Sequence, residues 1–265
     1  MVGPLVVVKL GGSVITRKRG PARVRHKVLR RLAEELHGPA TPPLLVLHGA
    51  GSFGHPGAVR FGLARAPVGP PTPRARGAAI VGREVRELHQ AVLGALVDAG
   101  GHPVSVPPFP IAQNRAGAFG RIDLNPVTRA LESGATPVSF GDVVPDSEWG
   151  FSILSADTIA VAAARALDVS RVVFVSDVDG VWTPGSTGRR PIVETLDRTA
   201  LDRLTPAEGV PDVTGGIRGK VEAMLQVAAA GVDAVLISGL RDGALCSALT
   251  APTVYGSWAR ASAKA

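Results

Sequence analysis

Lys9 lies in the run "LVVVKLGG" (5–12), whose other side chains are apolar or absent. An ammonium group in such surroundings is costly to bury alone. The plain reading is a lysine at a strand end whose head reaches water. Gly11 and Gly12 follow at once and suggest a stronger one, because glycine-rich turns present bare backbone N–H groups to phosphate oxygens. Three such turns occur, at 11–12, 49–54 and 215–219. Each has a cation beside it: Lys9 and Lys18, then His55, then Lys220. Any one alone reads as a tight turn. Three anion cradles point to a donor nucleotide meeting a phosphorylated or carboxylated acceptor.

Two better-known glycine motifs do not fit. "HGAGSFGH" (48–55) contains Gly-x-Gly-x-x-Gly after the apolar run "LLVL". A dinucleotide site wants an acidic residue about 20 positions on, to hold the ribose. No acidic residue occurs from Leu36 through Arg83, and the loop follows the second strand-like run rather than the first. "GGIRGK" (215–220) resembles a P-loop at a glance. Its spacing is wrong, it follows a polar stretch, and Val221 stands where a hydroxyl would meet magnesium.

The elements that must position these residues alternate. Buried strands are expected at 5–10, 44–49, 102–106, 136–140, 171–180 and 233–238, from short β-branched runs ending in turn residues. Helices are expected between them. Val24, Val28, Leu29, Leu32 and Leu36 recur at helical spacing, and Val81, Val85, Leu88, Val92 and Leu96 mark a long amphipathic helix ending near Asp98. Asn125-Pro126 reads as an N-cap and first helical residue. Ser155 reads as the cap of "ADTIAVAAARAL", and Gly231 as the stop of "GKVEAMLQVAAAG". The proline- and arginine-rich stretch 63–77 reads as a loop or lid. Strand–helix alternation implies a three-layer αβα sandwich around a mainly parallel sheet. Lys9, His48, Asp142, Asp177 and Asp179 all fall where strands end, which is where open α/β sheets bind ligands.

Bulk properties narrow the partners. With 265 residues, 45% hydrophobic, the chain can bury a large core. A net charge of +7 suits an anionic ligand such as a phosphate ester, although a general richness in arginine accounts for it more readily. Nucleic acid is disfavoured, since no basic run interleaves with aromatics and no zinc-finger or RNA-binding signature occurs. A single cysteine, Cys246, excludes an internal disulfide framework or cysteine metal site. No apolar run reaches the about 20 residues of a spanning helix, and no signal peptide is read at the start, so no membrane partner and a cytoplasmic location are expected.

Taken in order, "KLGGSVITRK" (9–18), "HGAGSFGH" (48–55), "FGDVV" (140–144), "SDVDGVW" (176–182) and "DVTGGIRGK" (212–220) resemble the motifs of the amino acid kinase family. Within it they are most similar to members that phosphorylate isopentenyl phosphate. The resemblance covers about Val6 to Ser238. It implies one kinase domain spanning 1–265, with an acceptor lobe to about 165 and a nucleotide lobe from about 166, and a homodimer using ATP and Mg2+. It implies that Lys9 and Lys18 meet the transferring phosphoryl group and that Asp142 orients these lysines by ion pairs. Gly11, Gly12 and Ser13 would donate N–H groups to ATP phosphates, with Gly51 bordering the γ-phosphate. Ala50, Gly51, Gly54, His55 and Gly141 would hold the acceptor phosphate. Asp177 and Trp182 would sit by the nucleoside, and Gly216 and Lys220 on its phosphates. No side-chain metal ligands are implied. Ala50 and Ala156 stand where many relatives have glycine, and neither departure removes a charged group.

Small residues of the long helix, Ala78, Ala79 and Gly82, leave room for a hydrocarbon tail, though core packing explains them equally. Three rivals stay open: a fosfomycin kinase-like enzyme with a similar glycine–histidine loop, an amino-acid or carbamate kinase of the same fold, and a nucleotide sensor without catalysis. The last two are disfavoured by "SFGH" and by the retained Lys9, Lys18 and Lys220, respectively.

Overall fold

A computed structural model describes residues 4–18, 20–38, 40–68, 72–182, 192–204 and 216–261. The first strand, β1 (Leu5–Leu10), is buried along its whole length, and a tight turn leads into α1 (Gly12–Ile15). There follow α2 (His26–Glu35), β2 (Leu44–His48), α3 (Gly51–Arg60) and α4 (Thr72–Asp98). Next come β3 (Pro103–Ser105), β4 (Ala112–Arg115), β5 (Ala118–Ile122), α5 (Asn125–Glu132), β6 (Thr136–Phe140), β7 (Asp142–Asp146) and β8 (Gly150–Leu154). The remaining elements are α6 (Ala156–Ala166), β9 (Val169–Ser176), α7 (Arg198–Asp202), α8 (Gly216–Ala229), β10 (Asp233–Ser238), α9 (Ala244–Thr250) and β11 (Ser257–Ala259).

Seven strands form one sheet in the order β11-β10-β9-β1-β2-β6-β3, parallel except for β11. Strands buried on both faces read as continuous apolar runs, which is why these were legible. Alternate residues of β1 serve opposite layers. Val6, Val8 and Leu10 pack with α2 and α4 through Leu29, Leu32, Leu88 and Val92. Leu5 and Val7 pack with α6 and α8 through Ile159, Ala163 and Met224. The result is a three-layer αβα sandwich whose central strands, β1 and β9, bring both ends of the chain's site to one edge.

Several expectations need correction. A second sheet, β5-β4-β7-β8, was not anticipated. Its strand β5, "AFGRI", is exposed along most of its length and offers no apolar face to read. The β4–β5 turn uses Ala116 and Gly117, both with positive φ, in place of the usual Asn-Gly pair. Asp146 compensates by accepting both of their N–H groups, at 3.0 and 2.8 Å. Asn125 is the first residue of α5 and not its cap; the Asp123 carboxylate accepts its N–H at 2.9 Å. The stretch 63–77 is not all loop, because α4 already begins at Thr72. The Arg74 guanidinium makes this early start possible, since it is buried and donates to the carbonyls of Gly62, Leu63, Arg65 and Phe151. Residues 69–71 of that stretch lie outside the described residues.

Candidate active site

The site forms where two glycine turns touch. The first leaves β1 through Gly11, whose N–H reaches the Val175 carbonyl at 2.8 Å. The second leaves β2 through Gly49 and enters α3. A Cβ on Gly12 would collide with the Gly51 backbone, so these turns can meet only as bare backbone. Gly51 has φ +51°, and a Cβ there would strike the Thr16 side chain. Thr16 couples the two turns. Its hydroxyl donates to the Gly12 carbonyl at 2.6 Å and accepts the Ser52 N–H at 3.1 Å. Sequence reasoning passed over Thr16, although it lies within "KLGGSVITRK".

"HGAGSFGH" is not a loop ending in a histidine. From Gly51 it is the first part of α3, and His55 lies inside the helix, part-buried. The glycines allow close packing: a Cβ on Gly54 would sit 3.0 Å from the Val85 side chain of α4. The N-terminus of α3 therefore brings the positive end of the helix dipole to the site, with the Ser52 N–H taken by Thr16 and the Phe53 N–H by the Ala50 carbonyl. The N-terminus of α6 faces the site as well. There the Ser155 hydroxyl accepts the Thr158 N–H at 3.0 Å, as its sequence suggests, and places Asp157 in the first turn.

Asp157 is the centre of the charge arrangement. Its Oδ1 lies 2.7 Å from Lys9 Nζ, and its Oδ2 lies 3.7 Å from Lys220 Nζ. All three side chains are buried. Burial alone would raise the Asp157 carboxyl, but Lys220 and Lys9 together hold it down at about 2. Burial lowers the Lys220 ammonium to about 8, against the pull of Asp157 and with Lys9 adding to the fall. Two ammonium groups thus share one carboxylate. The buried cluster carries a net positive charge.

This overturns one expectation. Asp142 does not pair with Lys9 or Lys18. Its buried carboxylate takes Arg86 of α4 at 3.0 Å and the Val143 N–H at 2.8 Å. Burial pushes the Asp142 carboxyl above the usual range, and Arg86 opposes that rise. The orienting acid is Asp157, which is visible in the sequence only as an acid two residues after a capping serine. Arg86 left no signal, because it sits on an otherwise ordinary amphipathic helix.

A second cluster flanks the first. Lys18 Nζ lies 2.7 Å from Asp177, and the Ser13 hydroxyl donates to the same carboxylate at 2.7 Å. Partial burial works against the Asp177 charge, but Lys18 and Ser13 keep its carboxyl below the ordinary value. Asp177 thus joins Ser13 of α1 to Lys18 just beyond it. Trp182 is part-exposed and forms an isolated bridge with Ile192. Gly216 opens α8 with φ +52°. Gly215 and the rest of 205–215 lie outside the described residues.

One pocket gathers Lys9, Gly12, Ala50, Gly54, His55, Gly141, Asp142 and Asp157. Its polar end is this charged corner. Its other end is apolar, walled by Ala58, Val81, Val85 and Ile153. The small residues Ala78, Ala79 and Gly82 do not line it; the neighbouring valines of α4 do.

Comparison with known proteins agrees with this geometry. The profile described as "Amino acid kinase family" matches residues 4–238. An isopentenyl phosphate kinase of Methanothermobacter thermautotrophicus is 35% identical, covering 95% of this chain and 97% of its own. An isopentenyl phosphate kinase of Thermoplasma acidophilum is 34% identical, covering 84% of this chain and 86% of its own. A solved isopentenyl phosphate kinase structure superposes with a TM-score of 0.85 at 30% identity, over 96% of this chain and 99% of that one.

Proposed function

The chain belongs to the amino acid kinase family, and from that premise we propose that it transfers the γ-phosphoryl group of ATP to isopentenyl phosphate, giving ADP and isopentenyl diphosphate. The observation that carries this reading is a pocket lined by Lys9, His55 and the Asp157 carboxylate that Lys9 and Lys220 share, and also by the apolar Ala58, Val81, Val85 and Ile153. A phosphate monoester with a short hydrocarbon tail matches both. The closely similar relatives carry the same activity in their names.

The acceptor phosphate has a second pKa of about 6, so it arrives at neutral pH largely as a dianion. Its oxygen needs no base to become a nucleophile. The new bond joins that oxygen to the γ-phosphorus, and the bond from the γ-phosphorus to the β–γ bridging oxygen breaks. What opposes reaction is repulsion between two polyanions. Positioning and charge neutralisation therefore supply the catalysis.

Roles follow from position. Lys9, held by Asp157, neutralises the phosphoryl group in transit, and Lys220 meets the ATP phosphates from the other side of the same carboxylate. Lys18, which follows α1, is steadied by Asp177, and the β1–α1 turn offers the N–H groups of Gly12 and Ser13; the Gly11 N–H, expected to join them, is taken by the Val175 carbonyl. Ala50, Gly51, Gly54 and Gly141 surround the acceptor phosphate, and His55 donates a hydrogen bond to it. The valines of α4 contact the tail. Magnesium would come with the nucleotide, bound chiefly by phosphate oxygens and water; it would shield phosphate charge. Asp177 is the acid this chain offers at that end.

The reading extends to an acceptor lobe up to about 165, a nucleotide lobe beyond it, a homodimer and a cytoplasmic location. Among the described residues no helix is long and apolar enough to cross a membrane. The direct test of function is 31P NMR of the purified protein with ATP, Mg2+ and isopentenyl phosphate, dimethylallyl phosphate or fosfomycin in separate reactions. New diphosphate resonances with isopentenyl phosphate, at a rate well above that with fosfomycin, are expected. Preferential turnover of fosfomycin would replace the proposal.

A further inference from the structure

We propose that His48 and His89 are positioning residues for the acceptor turn: an ordered hydrogen-bond chain through them holds the Gly49 carbonyl inward, so that the Ala50 N–H faces the acceptor phosphate. The proposal rests on the reading of this pocket as an acceptor site. Both rings are buried, His48 completely. His48 Nε2 lies 3.0 Å from His89 Nδ1. His89 Nε2 lies 2.7 Å from the Ser105 hydroxyl on β3. His48 Nδ1 lies 3.3 Å from the Gly49 carbonyl oxygen. Phe140 fixes both rings from one side, with centroids 5.3 and 4.2 Å away.

The chain has one consistent direction. A carbonyl oxygen only accepts, so the proton at that contact sits on His48 Nδ1. In a neutral His48 ring, Nε2 is then an acceptor, and His89 must donate to it from Nδ1. That leaves His89 Nε2 to accept the Ser105 hydroxyl hydrogen. Both imidazoles are therefore Nδ1–H tautomers, and every ring nitrogen is satisfied.

Neutral rings fit the surroundings. Two cations face the pair, Lys9 from β1 and Arg86 from α4, the latter already matched to Asp142 of β7. Burial lowers His48 to about 3, with His89 and Lys9 adding to the fall, and lowers His89 to about 4, with Arg86 adding. The pair stays uncharged through the neutral range, and the chain keeps one polarity.

The link to the acceptor is the peptide bond itself. It is planar and trans, so the Ala50 N–H points opposite to the Gly49 carbonyl. Drawing that carbonyl into the core turns the N–H out, and Gly49 and Ala50 line the pocket wall. A pair of aliphatic residues would fill the same core volume and leave this peptide free to rotate. Buried polar groups persist where all partners are met.

Two measurements decide the matter. The first is a long-range 1H–15N correlation spectrum of the whole, ligand-free protein at pH 7, which reads ring tautomers directly and does not depend on the acceptor's identity. Nδ1–H signatures for both His48 and His89 are expected; Nε2–H forms would overturn the chain. The second compares His89→Asn, which keeps a donor near the Nδ1 position, with His89→Leu, which does not. His89→Leu should raise KM for isopentenyl phosphate by about tenfold while leaving KM for ATP unchanged. His89→Asn should recover most of that loss. Equal rises in both KM values, or no rise, would assign the pair to packing alone. Absence of isopentenyl phosphate turnover by the unaltered protein would instead fault the reading of the site, and the tautomer result would stand apart from it.

Discussion

The carboxylate of Asp157 lies 2.7 Å from the ammonium of Lys9, and both residues line the pocket. The same carboxylate also serves Lys220. One acid thus orders two cations, one on β1 and one on α8, and the three groups together keep a net positive charge.

Asp157→Asn removes that shared counter-charge and strands two buried ammonium groups. Breaking a buried pair in this way typically costs about 3–5 kcal/mol. ATP should repair part of the damage, because its phosphates supply the missing negative charge. Thermal unfolding with and without ATP checks this. A larger ATP-induced rise in Tm for Asp157→Asn than for the unaltered protein is expected, and an equal rise would contradict it.

Lys220, lowered to about 8, is a cation below that pH and loses its charge above it. The pH profile of kcat/KM for ATP should therefore fall on the alkaline side near pH 8, since this ratio reports the free enzyme. Lys220→Arg keeps the charge at any accessible pH. In that variant the alkaline limb should disappear even if overall activity drops. An unchanged limb would assign the ionisation to another group.

Much of this arrangement could be read from the residues, and the gaps have physical causes. The sheet was legible because β1, β2, β6, β9 and β10 are buried on both faces, so their composition alone marks them. The small sheet was not, because β5 is mostly exposed and its turn lacks the usual residue pair. Lys9 was conspicuous as a charge in an apolar strand. Its partner was not, because an acid in the first turn of a helix is ordinary, and Asp157 looks like dipole chemistry. Asp142 and Asp157 look alike in the sequence, because both follow strands near glycine or a capping serine. Only the backbone path decides which carboxylate faces the lysines. Thr16, Arg86 and the His48–His89 pair act through contacts distant in sequence, between Thr16 and Ser52, Arg86 and Asp142, and His48 and His89.

Asp142 and Arg86 form a pair of their own, so Arg86→Met should leave a buried carboxylate without its cation. A loss of about 1–3 kcal/mol in denaturant unfolding at pH 7 is expected. Because burial raises the Asp142 pKa, the folded state takes up a proton more readily than the unfolded chain. The deficit should therefore shrink as the pH falls through that raised value. Adding Asp142→Asn to Arg86→Met should restore stability at neutral pH. A double variant less stable than Arg86→Met would show that Asp142 has a second cationic partner.

His55 is proposed as a hydrogen-bond donor to the acceptor phosphate and not as a base. Glutamine can donate from a similar reach, so His55→Gln should retain measurable turnover of isopentenyl phosphate while His55→Ala loses far more. The acidic limb of the pH–rate profile should persist in His55→Gln, because the acceptor's own ionisation remains. Loss of that limb, with glutamine as inactive as alanine in a folded protein, would assign proton transfer to His55.

The central claim is that charge neutralisation by Lys9 carries the transfer, and steady-state kinetics of Lys9→Met test it most directly. Methionine fills the volume of the lysine stem and removes only the cation. The charge that Lys9 meets develops on transfer, so the loss should fall on kcat more than on KM for isopentenyl phosphate. Removing one such contact costs roughly 3 kcal/mol, on the order of a hundredfold in rate. A hundredfold fall in kcat with little change in acceptor KM is the predicted result. A folded Lys9→Met enzyme with undiminished kcat would contradict the mechanism itself.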